Sequence, residues 1–132
     1  MFADIRRFMQ QNKKMVLLVD DSYLIIERLS DMLNESKHIG EIIHALSGSD
    51  ALDKLQSRTP DIVLLDINLP DINGVELLRV IKSKYPGMVV IMLTNQANDY
   101  YRKLCINLGA DHFADKSEDF ETIPEIIASF QE

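Results

Sequence analysis

The sequence predicts an α/β fold, a doubly wound parallel sheet of five strands with five helices on its two faces. Short apolar runs alternate with longer segments of helical periodicity along the chain, a pattern typical of βαβ units. The third run, residues 62–66, is almost continuously apolar, as expected for a strand covered on both faces. Turn residues such as Pro86-Gly87 separate the segments.

Each element follows from local periodicity and from its flanking residues. The predicted strands span residues 16–20, 39–46, 62–66, 88–93 and 111–115, and the predicted helices span residues 22–35, 49–57, 74–84, 98–108 and 118–130. Ser22 is expected to cap the first helix by accepting from a free amide of the first turn. Gly109 is expected to end the fourth helix.

The domain organisation is simple, because 132 residues fit one domain of ordinary size. We interpret residues 14–132 as that domain and residues 1–13 as an N-terminal extension. Two interpretations of the extension remain open: it forms a short helix with Phe2, Ile5 and Phe8 on its apolar face, or it is disordered. The sequence shows no internal repeat and no low-complexity segment.

Composition narrows the class of protein. The net charge of −7 argues against a nucleic-acid surface, which needs a basic face, and suits cations or basic patches on a partner protein. The single cysteine, Cys105, excludes an intramolecular disulfide and is expected in the core. No apolar run approaches the roughly 18 residues that span a bilayer. We therefore expect a cytoplasmic protein without membrane association.

Polar residues stand at the carboxyl ends of four of the predicted strands, either as the last residue or directly after it. They are the pair Asp20-Asp21, then Asp66, Thr94 and Lys116. Taken singly, each has a structural explanation: a helix cap, a solvated carboxylate or lysine, a strand-end hydroxyl. Because the carboxyl ends of parallel strands share one edge, where ligands bind, the set predicts a cation site containing a nucleophilic carboxylate.

The order of these residues resembles the receiver domain of two-component response regulators, particularly stand-alone receivers such as those of chemotaxis. The resemblance covers about residues 14–131. It is carried by four segments: Val-Asp-Asp-Ser (19–22), Asp-Ile-Val-Leu-Leu-Asp-Ile-Asn-Leu-Pro-Asp-Ile-Asn-Gly-Val-Glu-Leu-Leu (61–78), Ile-Met-Leu-Thr (91–94) and Leu-Gly-Ala-Asp-His-Phe-Ala-Asp-Lys (108–116). It implies a flavodoxin-like sheet with strand order 2-1-3-4-5.

The resemblance also implies the chemistry of the acidic residues. Asp66 would be the phosphoacceptor. Asp21 and Asp66 would bind Mg²⁺ directly together with the backbone carbonyl of Asn68, and Asp20 would act through a water molecule. Carboxylates held this close repel one another, which raises their pKa values until a cation relieves the repulsion.

The remaining roles concern the phosphoryl group and the response to it. Thr94 would hydrogen-bond the phosphoryl group, and Lys116 would pair with it. Phe113 falls at the switch aromatic position, so Thr94 and Phe113 together would form the switch. We further hypothesise that Asn68 and Gln96 flank the approach of the hydrolytic water and tune the lifetime of the acyl phosphate.

Three positions depart from the family's pattern. Ser117 follows the lysine where the family usually has a proline after a cis bond. A non-proline cis bond costs about 3 kcal/mol, so we expect a trans or rearranged loop there. Asn95 is larger than the small residue usual after the threonine. Phe113 replaces the frequent tyrosine and is expected to favour a buried rotamer.

The resemblance implies a signalling domain rather than an enzyme. A histidine kinase or phosphotransfer protein would supply the phosphoryl group, and an unidentified downstream protein would read the result by direct contact. A homodimer formed on phosphorylation is a further option. Two alternatives stay open: a phosphorylation-independent pseudo-receiver, and an aspartate-nucleophile phosphatase of the haloacid-dehalogenase type, whose nucleophile usually follows the first strand.

Overall fold

The computed structural model describes residues 13–130, so the predicted N-terminal extension lies almost wholly outside the described residues. Its strands are β1 (Lys14–Val19), β2 (Ile39–Ala45), β3 (Ile62–Leu65), β4 (Val89–Thr94) and β5 (His112–Asp115). Its helices are α1 (Tyr23–Asn34), α2 (Gly48–Ser57), α3 (Gly74–Lys84), α4 (Asp99–Asn107) and α5 (Ile123–Ala128).

The sheet is entirely parallel among these five strands, in the order β2-β1-β3-β4-β5. This confirms the predicted fold class and strand order. Val19, the last residue of β1, pairs with Ala45 on one side and with Leu65 on the other. The ends of β1, β2 and β3 are therefore level, and the residues that follow them emerge at one edge.

Two apolar layers enclose the sheet. Side chains on one face of the sheet, such as those of Leu17 and Leu65, pack against α2, α3 and α4. Their neighbours Leu18 and Leu64 point to the other face and pack against α1 and α5, because side chains alternate along a strand. Cys105 is fully buried in the first layer, as predicted. None of the helices within residues 13–130 combines the length and apolar character needed to cross a membrane.

Side chains mark where helices begin. Ser22 Oγ accepts from Ile25 N at 3.3 Å, which confirms the predicted cap of α1. Asn73 Oδ1 accepts from Val75 N at 2.8 Å and caps α3. Gly109 has a φ of +105°, a conformation that favours glycine, and follows the end of α4. Helix α1 therefore follows β1 after a short turn, whereas a longer loop, residues 66–73, separates β3 from α3.

Two predicted elements have a boundary that is wrong by more than one residue. The first strand begins at Lys14 rather than Val16, because Lys14 N already bonds to His38 O at 2.8 Å, and it ends one residue before Asp20. The last helix was predicted over residues 118–130, whereas a 3₁₀ turn (Phe120–Thr122) precedes a helix of six residues. Pro124 is the reason: it has no amide hydrogen, so an α-helix accommodates it only in the first turn.

Candidate functional site

Three carboxylates meet at the carboxyl edge of the sheet. One oxygen each from Asp20, Asp21 and Asp66 lies within 4.8 Å of the others. Asp20 N bonds to Ala45 O and Asp66 N bonds to Val19 O, both at 3.1 Å, so each acid extends its strand's ladder by one residue. The adjacency of β1 and β3 in the sheet brings the acids together, as the sequence predicted.

Lys116 reaches this group from the loop after β5. Its Nζ lies 2.6 Å from Asp20 Oδ2 and 2.8 Å from Asp66 Oδ2. The lysine side chain is only 9% exposed, so its ammonium group is largely withdrawn from water. One buried cation therefore bridges two of the three acids, which come from different strands.

Burial shapes the charge state of this site. Asp20 and Asp66 are 4% and 5% exposed, whereas Asp21 is exposed. Burial raises the pKa of Asp20, although hydrogen bonds from Lys116 and from Ser22 N act in the opposite direction. Burial alone lowers the pKa of Lys116, but its hydrogen bonds with Asp20 and Asp66 outweigh this and raise it. These shifts favour the charged form of Lys116 and make ionisation of Asp20 less favourable than in water.

The donor set fits a divalent cation. Three carboxylates face a single ammonium group, so negative charge is in excess when all three are ionised. Carboxylate oxygens are hard ligands of the type that Mg²⁺ prefers. Asn68 lies beside the group, since its N donates to Asp66 Oδ1 at 3.4 Å. A cation here would also relieve the cost of ionising the buried Asp20.

Thr94 closes β4 at the same edge and is fully buried. Its Oγ1 accepts from Gln96 N at 3.0 Å, which leaves the hydroxyl hydrogen free to donate elsewhere. Its carbonyl accepts from Lys116 N at 3.0 Å and so ties β4 to the lysine loop. Asn68, Asn95 and Gln96 are exposed, and their roles stay predictions.

The loop that carries Lys116 is held by a turn that sequence reasoning missed. Asp115 Oδ1 accepts from both Ser117 N at 2.9 Å and Ser117 Oγ at 2.8 Å, and these bonds lower the pKa of Asp115. Asp119 Oδ2 accepts from Asp115 N at 2.8 Å. As expected, the Lys116–Ser117 bond is trans, like every peptide bond of the described chain. The Asp-x-Ser spacing, typical of an Asx turn, was the available signal.

Phe113 lies on β5 and is 3% exposed, in agreement with the buried rotamer expected of a phenylalanine. Arg102 of α4 covers it: the guanidinium carbon is 5.0 Å from the ring centroid, and Nη1 donates to Phe113 O at 3.2 Å. Sequence reasoning missed Arg102. The contact joins a helix to a strand across eleven residues, and no local pattern signals it.

Comparisons with known proteins agree with this geometry. A sequence model of the response regulator receiver domain matches residues 16–128. A solved structure of a CheY-like response regulator receiver domain protein from Methanospirillum hungatei JF-1 has a TM-score of 0.81 and 30% identity, covering 89% of this chain and 92% of that one. The Mn²⁺-bound form of response regulator Rcp1 has a TM-score of 0.77 and 29% identity, covering 89% and 93%.

Among curated relatives, the protein-glutamate methylesterase/protein-glutamine glutaminase of Clostridium acetobutylicum is 37% identical over 105 residues, covering 78% of this chain and 30% of the relative. The chain spans 30% to 52% of the length of the first curated relatives that it matches. The similarity therefore concerns one domain that those proteins share, not their remaining parts.

Proposed function

Because this chain belongs to the family of response regulator receiver domains, we propose that it is a signalling domain that accepts a phosphoryl group on Asp66. One observation carries the proposal. Asp66 is a buried carboxylate directly after β3, and it lies in contact with Lys116 and close to the carboxylates of Asp20 and Asp21. We take residues 14–132 as the receiver domain and residues 1–13 as an extension of it.

The proposed reaction is an in-line displacement. An oxygen of Asp66 forms a bond to phosphorus, while the bond from phosphorus to the donor's leaving group breaks and the leaving group keeps the electron pair. Lys116 Nζ, now 2.8 Å from Asp66 Oδ2, pairs with an oxygen of the transferred group. Thr94 donates its free hydroxyl hydrogen to another. The product is an acyl phosphate on Asp66.

A bound Mg²⁺ would neutralise the acidic group and charge on the phosphoryl oxygens. We assign it to Asp21 and Asp66 with the backbone carbonyl of Asn68, and to Asp20 through water. The close approach of the three carboxylates supports this assignment, and burial, which raises the pKa of Asp20, agrees with it. The similar response regulator Rcp1 has been crystallised with Mn²⁺, another hard divalent cation.

The output of this domain would be a change of surface. The acyl phosphate adds nearly two negative charges at neutral pH, which would draw Thr94 toward Asp66 and change the space available to Phe113. Phosphorylation favours whichever state contacts it better. The donor would be a histidine kinase or phosphotransfer protein in the cytoplasm. The reader would be a protein target, with homodimer formation on phosphorylation as one form of output.

The domain would assist its own phosphorylation and dephosphorylation without being a turnover enzyme. Intact mass after incubation with Mg²⁺ and acetyl phosphate tests this. Wild type should gain one phosphoryl group, whereas Asp66→Asn and wild type with a chelator should gain none. Asp61→Asn, a carboxylate change at the opposite edge, should behave as wild type. No gain in wild type would favour the pseudo-receiver, and steady turnover of general phosphate esters would favour the phosphatase.

A further inference from the structure

The loop after β3 makes a distant contact that the proposed chemistry does not use. Asp71 Oδ1 accepts from Gly48 N at 2.8 Å, and Asp71 Oδ2 accepts from Ser49 N at 2.9 Å. The carboxylate thereby binds the first two amides of α2, across 23 and 22 residues of chain. These amides have no partner within their own helix, so the loop and α2 satisfy each other.

A packing contact next to these bonds holds the same loop. Gly48 leaves room for Ile72: a Cβ at position 48 would lie 1.8 Å from Ile72 Cγ2. The side chain of Ile72 therefore occupies the space directly over the start of α2. Two consecutive residues, Asp71 and Ile72, thus fix the loop to α2 by independent means.

Asp71 does more than cap α2, because it bonds to the helix from the loop after β3. The helix already has a local cap, since Ser47 Oγ accepts from Asp50 N at 3.1 Å. The loop is also closed at its other end, where Gly74 N donates to Ile67 O at 2.7 Å. Asn68 lies between these two attachments, in the exposed part of the loop. The conformation around Asn68 is therefore set from both sides, and Asp71 supplies the attachment farther from Asp66.

We propose that Asp71 is a positioning residue for the cation site. Asp71 anchors the loop to α2, and the anchored loop holds Asn68 and Asp66 in place for the ion. The inference rests on the proposed function, because it takes the Asn68 carbonyl as a ligand. Partners behind the ligands commonly set metal affinity. Coupling between two sites is reciprocal, so ion binding should in turn tighten the contact at Gly48 and Ser49.

The test compares Asp71 with Ser47, whose hydroxyl caps the same helix by accepting from Asp50 N. The dissociation constant of Mg²⁺ is measured by calorimetry for wild type, Asp71→Ala, Asp71→Asn and Ser47→Ala. Asp71→Ala should raise it about tenfold, and Asp71→Asn should raise it less, because the amide oxygen can still accept one bond. Ser47→Ala should leave it within about twofold, although its unfolding midpoint should fall as far as that of Asp71→Ala.

Amide hydrogen exchange supplies a readout that a capping role would not change. Mg²⁺ alone should slow exchange at Gly48 and Ser49 in wild type and in Ser47→Ala, but not in Asp71→Ala. Equal Mg²⁺ affinities in all four proteins, or exchange at Gly48 and Ser49 that ignores Mg²⁺, would overturn the inference while leaving the proposed function intact. A wild type that binds no Mg²⁺ would overturn both.

Discussion

The two edges of the sheet both carry contacts between lysine and aspartate, but these contacts differ in how deeply they are buried. At the amino edge, Asp111 Oδ2 accepts from Lys82 Nζ at 2.8 Å and from Val90 N at 2.9 Å. At the carboxyl edge, Lys116 Nζ lies as close to Asp20 and Asp66. Lys82 and Asp111 are 15% and 32% exposed, whereas the side chains of Lys116, Asp20 and Asp66 are at most 9% exposed.

This difference distinguishes a structural ion pair from the proposed phosphorylation site. At the amino edge, Asp111 links Lys82 in the last turn of α3 to Val90 near the start of β4. Its carboxylate therefore has both an ammonium group and a backbone amide as partners. At the carboxyl edge, two buried acids share one lysine and have a third acid beside them. Buried like charges favour a ligand that brings positive charge. The unbalanced edge is the one suited to chemistry, at some cost in stability.

The largest expected effect concerns how closely the backbone packs at each edge. A Cβ on Gly74 would lie 2.0 Å from Asp66 O, whereas a Cβ on Gly87, near the amino edge, would meet nothing within 4 Å. Gly74→Ala should lower the free energy of unfolding by about 3 kcal/mol, and Gly87→Ala should change it by less than about 0.5 kcal/mol. Urea denaturation measures both. Equal losses would contradict the asymmetry.

The second effect concerns the two lysines. Lys116→Met should slow phosphorylation by acetyl phosphate about a hundredfold, which is about 2.7 kcal/mol in the barrier. Lys82→Met removes bonds to Asp111 and to Met88 O. It should lower stability by about 1 to 2 kcal/mol and leave the rate within about twofold. Initial rates followed by intact mass test the pair, and a matching loss of rate in both variants would refute the distinction.

The smallest effect concerns the free energy of unfolding without Mg²⁺, which Asp20→Asn and Asp111→Asn should change in opposite directions. Burial raises the pKa of Asp20, so its ionised form destabilises the fold. Lys116 keeps Asp66 as its partner when Asp20 is replaced, and Asp20→Asn should therefore stabilise the fold at pH 7 by about 1 kcal/mol. Asp111→Asn should destabilise by about 1 kcal/mol, since it weakens the bond to Lys82.

The pH dependence follows from the direction of the shift at Asp20. A carboxyl group whose pKa is raised by folding lowers the free energy of unfolding as pH rises through that pKa. The protein regains this stability as pH falls. The advantage of Asp20→Asn over wild type should therefore shrink on acidification, in thermal melts recorded without Mg²⁺. An advantage that grows toward low pH would show that burial does not dominate at Asp20.

The sequence predicted what local patterns determine. Residues 74–84 were predicted as a helix, and α3 has those bounds, because Asn73 and Pro86 mark its ends. The convergence of Asp20, Asp66 and Lys116 was also predicted, since strand order in a parallel sheet fixes which ends meet. These features depend on neighbours along the chain or on topology.

Contacts between segments that are distant along the chain could not be predicted from the sequence pattern. Asp71 reaches Gly48 and Ser49 only because the fold brings the loop after β3 to the start of α2. Arg102 covers Phe113 for a similar reason. The start of α5 was different: Pro124 indicated it, but the apolar spacing on either side favoured a longer helix. Propensity is overridden where a backbone donor is missing.

The most direct test identifies the residue that carries the phosphoryl group. Wild type is phosphorylated with acetyl phosphate and Mg²⁺, and borohydride then reduces the acyl phosphate, which converts a phosphorylated aspartate to homoserine. Peptide mass spectrometry locates the change. We expect homoserine at position 66 alone, and only when Mg²⁺ was present. Homoserine at position 20 or 21, or labelling of position 66 that does not depend on Mg²⁺, would contradict this expectation.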